Sequence, residues 1–144
     1  EDKNNRLEFH FLGNCHDGIE NYGINHGTFE RDEFFKKIEE IKPSFIGIFS
    51  IWPETFCHTL TEAWSCGIPV IGSNIGVIQD RIIKEKGGWL IDISNPKKAY
   101  DKIINIAEDK EEYTKVQENI KNISFKTTLE MSGEYLDVYN DLLF

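Results

Sequence analysis

Two rhythms run along this chain of 144 residues: short, solidly apolar runs that suit buried strands, and apolar positions three and four apart that suit helices. The clearest succession lies near the middle. Phe45-Ile46-Gly47-Ile48-Phe49 is bounded by Pro43 and Pro53, which predicts a fully buried parallel strand. A polar loop follows, then a helical pattern from about Thr59 to Cys66, then a second buried strand around Pro69–Gly72. Strand, loop, helix and strand form a βαβ unit, where ligands gather beyond the carboxyl ends of the strands. Ser50, Pro53, Glu54, Thr55 and Thr59 occupy that place.

Upstream, Leu7 to Leu12 reads as a strand ending at Gly13. Asn14 to Gly23 is a loop with an Asp17-Gly18 turn, and a short extended piece spans Tyr22–His26. From Arg31 to Lys42, Phe34, Phe35, Ile38 and Ile41 share a helical face, with acids at the start, lysines near the end and Pro43 as the stop. Downstream, Ile78–Lys86 is a helix closed by Gly87-Gly88, and Trp89-Leu90-Ile91 a strand. Asn95-Pro96 opens a helix with Tyr100, Ile103, Ile104 and Ala107 inward, and Glu108–Glu112 is a charged turn. Tyr113, Val116, Ile120 and Ile123 mark another helix. The last runs from about Thr127 to Leu143 with Met131, Tyr135, Val138 and Leu142 in step, and Gly133 inside it costs about 1 kcal/mol against alanine. The alternation predicts an α/β sandwich over residues 1–144: a mostly parallel sheet of four or five strands flanked by helices and closed by helices at the C-terminal end.

Composition narrows the classes. With 40% hydrophobic and 28% charged residues the chain is globular, and its net charge of −9 argues against nucleic acid and anionic lipid as partners. No run is long enough to span a bilayer. Cys15, Cys57 and Cys66 are odd in number and lack the short spacing of structural zinc sites, which points to a reducing compartment rather than a disulfide framework.

The candidate chemistry centres on Glu54 and Glu62. Thr59-Leu60-Thr61-Glu62 fits a capping box, in which Glu62 satisfies the Thr59 amide and Glu54 is a solvated loop acid. Alternatively, both carboxylates accept hydrogen bonds from the hydroxyls of a sugar or ribose, beside helix-terminal amides from Phe56 to Leu60. Periodicity alone puts capping ahead of the hydroxyl-binding reading. Adjacent Cys57 and His58 point different ways on a helix and make a poor dyad. His10 reads as a packed or surface residue, Trp52 and Trp64 as anchors, and Asp80-Arg81 as a helix-start charge pair.

Glu54-Thr55-Phe56-Cys57-His58-Thr59-Leu60-Thr61-Glu62-Ala63 resembles the E-x7-E signature of retaining GT-B glycosyltransferases of family 4 (group 1). Cys66-Gly67-Ile68-Pro69-Val70-Ile71 is similar to that family's G-x-P-V-[IV] strand, and Gly88-Trp89-Leu90 to its G-W-L segment. Phe9–Gly13 and Gly27-Thr28-Phe29 stand where the family has strands and a glycine-bearing loop. The Ile51-Trp52-Pro53-Glu54-Thr55 variant is like the subgroup that builds surface polysaccharides. The resemblance covers roughly Leu7 to Asp92.

It implies a Rossmann-like, mostly parallel sheet flanked by helices, part of the C-terminal, nucleotide-sugar-binding half of a GT-B fold. Glu62 would hold the ribose hydroxyls of a nucleotide-diphosphate sugar, and Glu54, the catalytic candidate, would contact the donor sugar. The amides of Phe56 and Cys57 would meet the sugar's far side, although the family usually has glycine where Cys57 stands. Thr55 would lie near the phosphates, Thr59 beside it at the helix start, and Gly27, Thr28 and Phe29 near the base. The resemblance implies no metal and no cofactor, the nucleotide sugar being the substrate; helix dipoles and basic side chains would stabilise the leaving diphosphate. It implies a cytoplasmic enzyme, peripheral at the inner face of the membrane. The family's diphosphate-clamping Arg and Lys have no counterpart before Leu7, and the N-terminal domain that binds the glycan acceptor is missing. The expectation is a truncated piece of a longer enzyme, inactive alone. The competing readings are a GT-B nucleotide-sugar epimerase and a non-catalytic α/β interaction module. A flavodoxin- or receiver-like domain needs acids after the first strand, where Asn14-Cys15 stands instead.

Overall fold

The computed structural model describes residues 6–143. Around the central βαβ unit the pattern is realised within a residue or two: β3 spans Ile46–Ile48, α2 His58–Ser65, β4 Val70–Ser73, α3 Gly76–Glu85 and β5 Gly88–Ile91. The three strands pair in the order β3-β4-β5, all parallel, with Ile46 opposite Val70 and Val70 opposite Gly88. Upstream, β1 (His10–Phe11) pairs in parallel with β2 (Ile24–Asn25), and α1 covers Phe34–Ile41. The chain closes with α4 (Pro96–Glu108), α5 (Lys110–Lys121) and α6 (Thr128–Leu143).

Alternating side chains of β4 point to two different cores. On one face Val70 packs with Leu60, Ala63 and Trp64 of α2, Ile78 and Ile82 of α3, and Val116 and Ile120 of α5. On the other, Ile71 joins Ile91 and Ile106, backed by Phe45 and Ile103. The result is a parallel sheet between helical layers, the α/β arrangement the pattern predicts.

Several expectations are corrected. The five strands form two separate parallel sheets rather than one, and only two residues of Leu7–Leu12 pair, because their partner β2 is itself two residues long. The Phe45–Phe49 run is not fully buried. β3 is an edge strand, so Gly47 is exposed and Phe49 keeps 47% of its surface. In α1, Phe34 and Ile38 face inward but Phe35 does not. In α4, Ile106 rather than Ala107 is buried, and the charged turn is only Asp109, whose carboxylate caps α5 by accepting the Glu112 amide at 2.9 Å. The apolar stripe of α6 covers nothing: every described side chain on that helix is exposed, Tyr135 at 61% and Leu142 at 77%.

Gly87 and Gly88 do not cap α3 either. Lys86 takes the left-handed conformation there, at φ 53°. The glycines answer to packing instead. A Cβ on Gly88 would lie 2.0 Å from the Val70 carbonyl oxygen across the sheet, and one on Gly87 would lie 2.5 Å from Trp64 Nε1. That indole donates to the Gly87 carbonyl at 2.8 Å, a buried bond that pins α2 to the start of β5.

Two substitutions test this core with opposite signs. Gly88→Ala must push β4 and β5 apart, and urea unfolding is expected to show a loss of about 3 kcal/mol. Ser73, buried in β4, has a hydroxyl with no hydrogen-bond partner among the described residues. Ser73→Ala removes that unsatisfied group and is expected to leave stability unchanged or raise it by about 1 kcal/mol.

Candidate functional site

The segments that follow β1, β2, β3 and β4 all leave the carboxyl ends of parallel strands, where Gly13, Gly27, the Pro53–Cys57 turn and Gly76 lie. Pro53 rests on the start of α3 so closely that a Cβ on Gly76, itself at φ 54°, would come within 2.7 Å of Pro53 Cα. The turn ends at Cys57, the residue before α2, which adopts φ 60°, ψ 82°. That left-handed conformation costs a side-chain-bearing residue about 1–2 kcal/mol.

Arg81 holds it. From the second turn of α3, its Nη1 donates to the carbonyls of Phe56 (2.9 Å) and Cys57 (3.1 Å), and its Nη2 to Thr61 Oγ1 (2.8 Å). The guanidinium lies 4.8 Å from the ring centre of Phe56 and 5.3 Å from that of Trp64. Burial lowers its pKa from the ordinary value. The expected helix-start pair of Asp80 and Arg81 is therefore not what the structure forms: Asp80 is exposed, and Arg81 reaches across to the turn.

With both carbonyls fixed, the peptide units of Phe56 and Cys57 are fixed too. The amides of Phe56, Cys57, His58 and Thr59 have no acceptor among the described residues. They lie at the positive end of α2, an arrangement suited to phosphate or sugar oxygens. The half-buried Glu54 lies beside the Cys57 thiol. Burial pushes that thiol up from its ordinary 9.0 to about 11; the Leu60 amide opposes the shift and the Glu54 carboxylate reinforces it. Thr55 and Thr59 are exposed, and Phe56 retains 48% of its surface.

Glu62 is not a capping residue. Because α2 begins at His58, Glu62 is its fifth residue, too far along to reach back to the Thr59 amide. Its carboxylate instead meets Arg31, whose Nε (3.0 Å) and Nη2 (2.9 Å) both approach Oε1. Arg31 lies in the 3-10 turn Arg31–Glu33 that precedes α1, a turn stiffened where Glu33 Oε2 accepts the Glu30 amide at 3.1 Å. Helical periodicity marked Arg31 only as a helix start; neither its reach to Glu62 nor that of Arg81 to the turn left any local signal.

Just before Arg31, the Gly27 carbonyl accepts the Gly13 amide at 2.8 Å, and the Gly27 amide donates to Asn25 Oδ1 at 3.0 Å. Gly27 has φ 69° and open space where a Cβ would stand. Thr28 is exposed, while Phe29 packs on Phe34 with ring centres 6.1 Å apart. Nearby, His10 joins His26 (2.9 Å) and Glu8 (2.7 Å) in a chain of hydrogen bonds across β1 and β2. The structure thus groups Glu54 to Thr59 around the start of α2, and ties Glu62 to the Gly27–Phe29 loop through Arg31. No hydrogen bond joins Glu54 to Glu62. Among the described residues no group of three or more His, Cys, Asp or Glu side chains could hold a metal ion, and no helix is long and apolar enough to cross a membrane.

A parallel α/β sheet flanked by helices, with acids and open amides on its strand-end loops, defines a Rossmann-like domain. The chain belongs to the glycosyl transferases group 1 family, which matches residues 19–123. It is 26% identical over 92 residues to the N-acetyl-alpha-D-glucosaminyl L-malate synthase of Bacillus anthracis, covering 62% of this chain and 24% of that enzyme. The fold is similar to that of Anabaena Alr3699/HepE, solved in complex with UDP (TM-score 0.62, 16% identity, 79% of this chain, 35% of that one). The complex of the same protein with UDP-glucose matches alike (TM-score 0.61, 17% identity, 78% of this chain, 34% of that one). The chain spans about a quarter of the synthase and a third of the solved structures.

Two expected outcomes follow from the turn. Arg81→Leu removes three hydrogen bonds from a charged donor and leaves Cys57 unsupported. Urea unfolding should show a loss of about 2–3 kcal/mol, with faster proteolysis at residues 52–58. Unfolding returns the Cys57 thiol to its ordinary 9.0, so the folded state holds that proton more tightly. Stability from this group should fall as pH climbs from about 9 to about 11, and iodoacetamide at pH 8 should leave Cys57 unmodified in the folded protein.

Proposed function

We propose that this chain forms the donor-binding part of a retaining, metal-independent glycosyltransferase. It moves a sugar from a nucleotide-diphosphate sugar to a glycan or surface-polysaccharide acceptor. The observation that carries the reading is Glu62: a carboxylate outside any cap, held at one oxygen and open at the other, eight residues after Glu54 at the rim where strand-end loops converge. In this reading Glu62 accepts the ribose hydroxyls and Glu54 those of the donor sugar, while the amides from Phe56 to Thr59 face sugar and phosphate oxygens. Thr55 lies by the phosphates, and Gly27, Thr28 and Phe29 border the base. The UDP and UDP-glucose bound by the Anabaena protein support a uridine nucleotide as the first donor to try.

Negative charge develops on the departing diphosphate, and unpaired amides at a helix start are donors already aimed before the bond breaks. The acceptor site, and with it turnover, belongs to another part of the whole protein, which this reading places in the cytoplasm at the inner face of the membrane. Neither an epimerase nor a non-catalytic module has an observation in its favour, since the family match is to transferases.

Calorimetric titration of UDP, GDP and ADP into the intact protein tests the reading. One nucleotide should bind, and Glu62→Ala should weaken it about tenfold or more, the cost of losing hydrogen bonds to a charged acceptor. Glu54→Gln should leave nucleotide affinity nearly unchanged while lowering kcat about 100-fold. Equal affinity of wild type and Glu62→Ala, or no binding at all, would remove the reading.

A further inference from the structure

We propose that Arg31 is a positioning residue for the nucleotide site: it fixes the Glu62 carboxylate so that Oε2 faces the ribose hydroxyls. The inference rests on the donor-binding reading above and adds a residue to it. The Nε–H of the Arg31 guanidinium donates to Glu62 Oε1 at 3.0 Å, and Nη2 of the same plane lies 2.9 Å from that oxygen as an ion pair. A carboxylate carries about four acceptor positions, so this grip leaves Oε2 entirely available. It also sets the plane of the group, because a planar fork on one oxygen restricts rotation about the last side-chain bond. The Glu62 side chain is 24% exposed and that of Arg31 75%, so the carboxylate sits at the base of the contact with the cation over it.

The pair also joins two separate elements. Arg31 lies two residues beyond the Gly27–Phe29 loop, and Glu62 is on α2, thirty-one residues further along the chain. The bridge therefore fixes the spacing between the loop assigned to the base and the carboxylate assigned to the ribose. A nucleoside lying between them meets both ends of one hydrogen-bonded unit.

The role is separable from a general one. If Arg31 acts through Glu62 on the ribose, its removal matters only for ligands that have ribose hydroxyls. If it attracts the diphosphate, or merely supports the fold, UDP and 2′,3′-dideoxyuridine diphosphate should suffer alike. The experiment is titration of both ligands into the intact protein as wild type, Glu62→Gln, Arg31→Met and Arg31→Lys, with thermal unfolding run alongside. Arg31→Met should weaken UDP about three- to tenfold and leave the dideoxy ligand within about twofold, with Arg31→Lys between wild type and Arg31→Met for UDP. Undiminished UDP affinity in Arg31→Met, or an equal loss for both ligands, overturns the proposal. Should Arg31→Met fail to fold, Arg31→Lys with the same two ligands decides it by the same criterion. If wild type binds neither ligand, or Glu62→Gln binds UDP as tightly as wild type, the donor-binding reading itself falls, an outcome distinct from a failure of Arg31 alone.

Discussion

The site depends on one contact, the grip of Arg81 on the turn that ends at Cys57. A turn of this kind places two peptide units outside regular structure, one of them in a conformation that side-chain-bearing residues avoid. Its own sequence offers little to hold it: Pro53 restricts one end, and the rest must be supplied from elsewhere. A guanidinium suits the task because its donors diverge in a plane, two carbonyls and a hydroxyl can share them, and its faces can stack on Phe56 and Trp64. Since α3 also packs Ile78 and Ile82 into the main core, the rigidity of the sheet is passed to the rim.

The carboxylates at that rim have different surroundings. Glu54 lies next to a buried thiol that stays protonated at neutral pH, and its carboxylate forms no ion pair with any described residue. Glu62 already has a cation on one side. One acid is thus left responsive to whatever enters, while the other is oriented in advance. The neighbour of Glu54, Cys57, lies within the stretch that separates the two acids, whereas Arg31, which holds Glu62, comes from outside it.

What the sequence made legible follows the range of the forces involved. The central strands and helices could be read because proline boundaries, solid apolar runs and three-four spacing act within a few residues. Asn95 was likewise readable, its side chain accepting the Lys98 amide at 3.1 Å beside Pro96. The errors arise where distance in sequence hides proximity in space. Gly87 and Gly88 look like a helix stop, but their reason is the backbone of Val70 and the indole of Trp64. Thr59 to Glu62 matches a cap by pattern, but the helix starts one residue earlier, and Glu62 turns to Arg31. Phe45–Phe49 is apolar throughout, but composition cannot tell a central strand from an edge. The acids and the turn were marked by the family resemblance, whereas the contacts of Arg31 with Glu62 and of Arg81 with the turn exist only in three dimensions.

The exposed face of α6 has a consequence for how this polypeptide behaves in water. A solitary helix of 16 residues is marginal in aqueous solution, because the cost of nucleation is offset mainly by packing. With Leu129, Leu136, Tyr139 and Leu143 all open to solvent, the final helix is held mainly by its own backbone ladder, so its amides should exchange with deuterium well before those of α2. The same helix sets a contiguous row of apolar side chains against water on a chain of net charge −9, so its solubility rests on repulsion between molecules as well as on the fold.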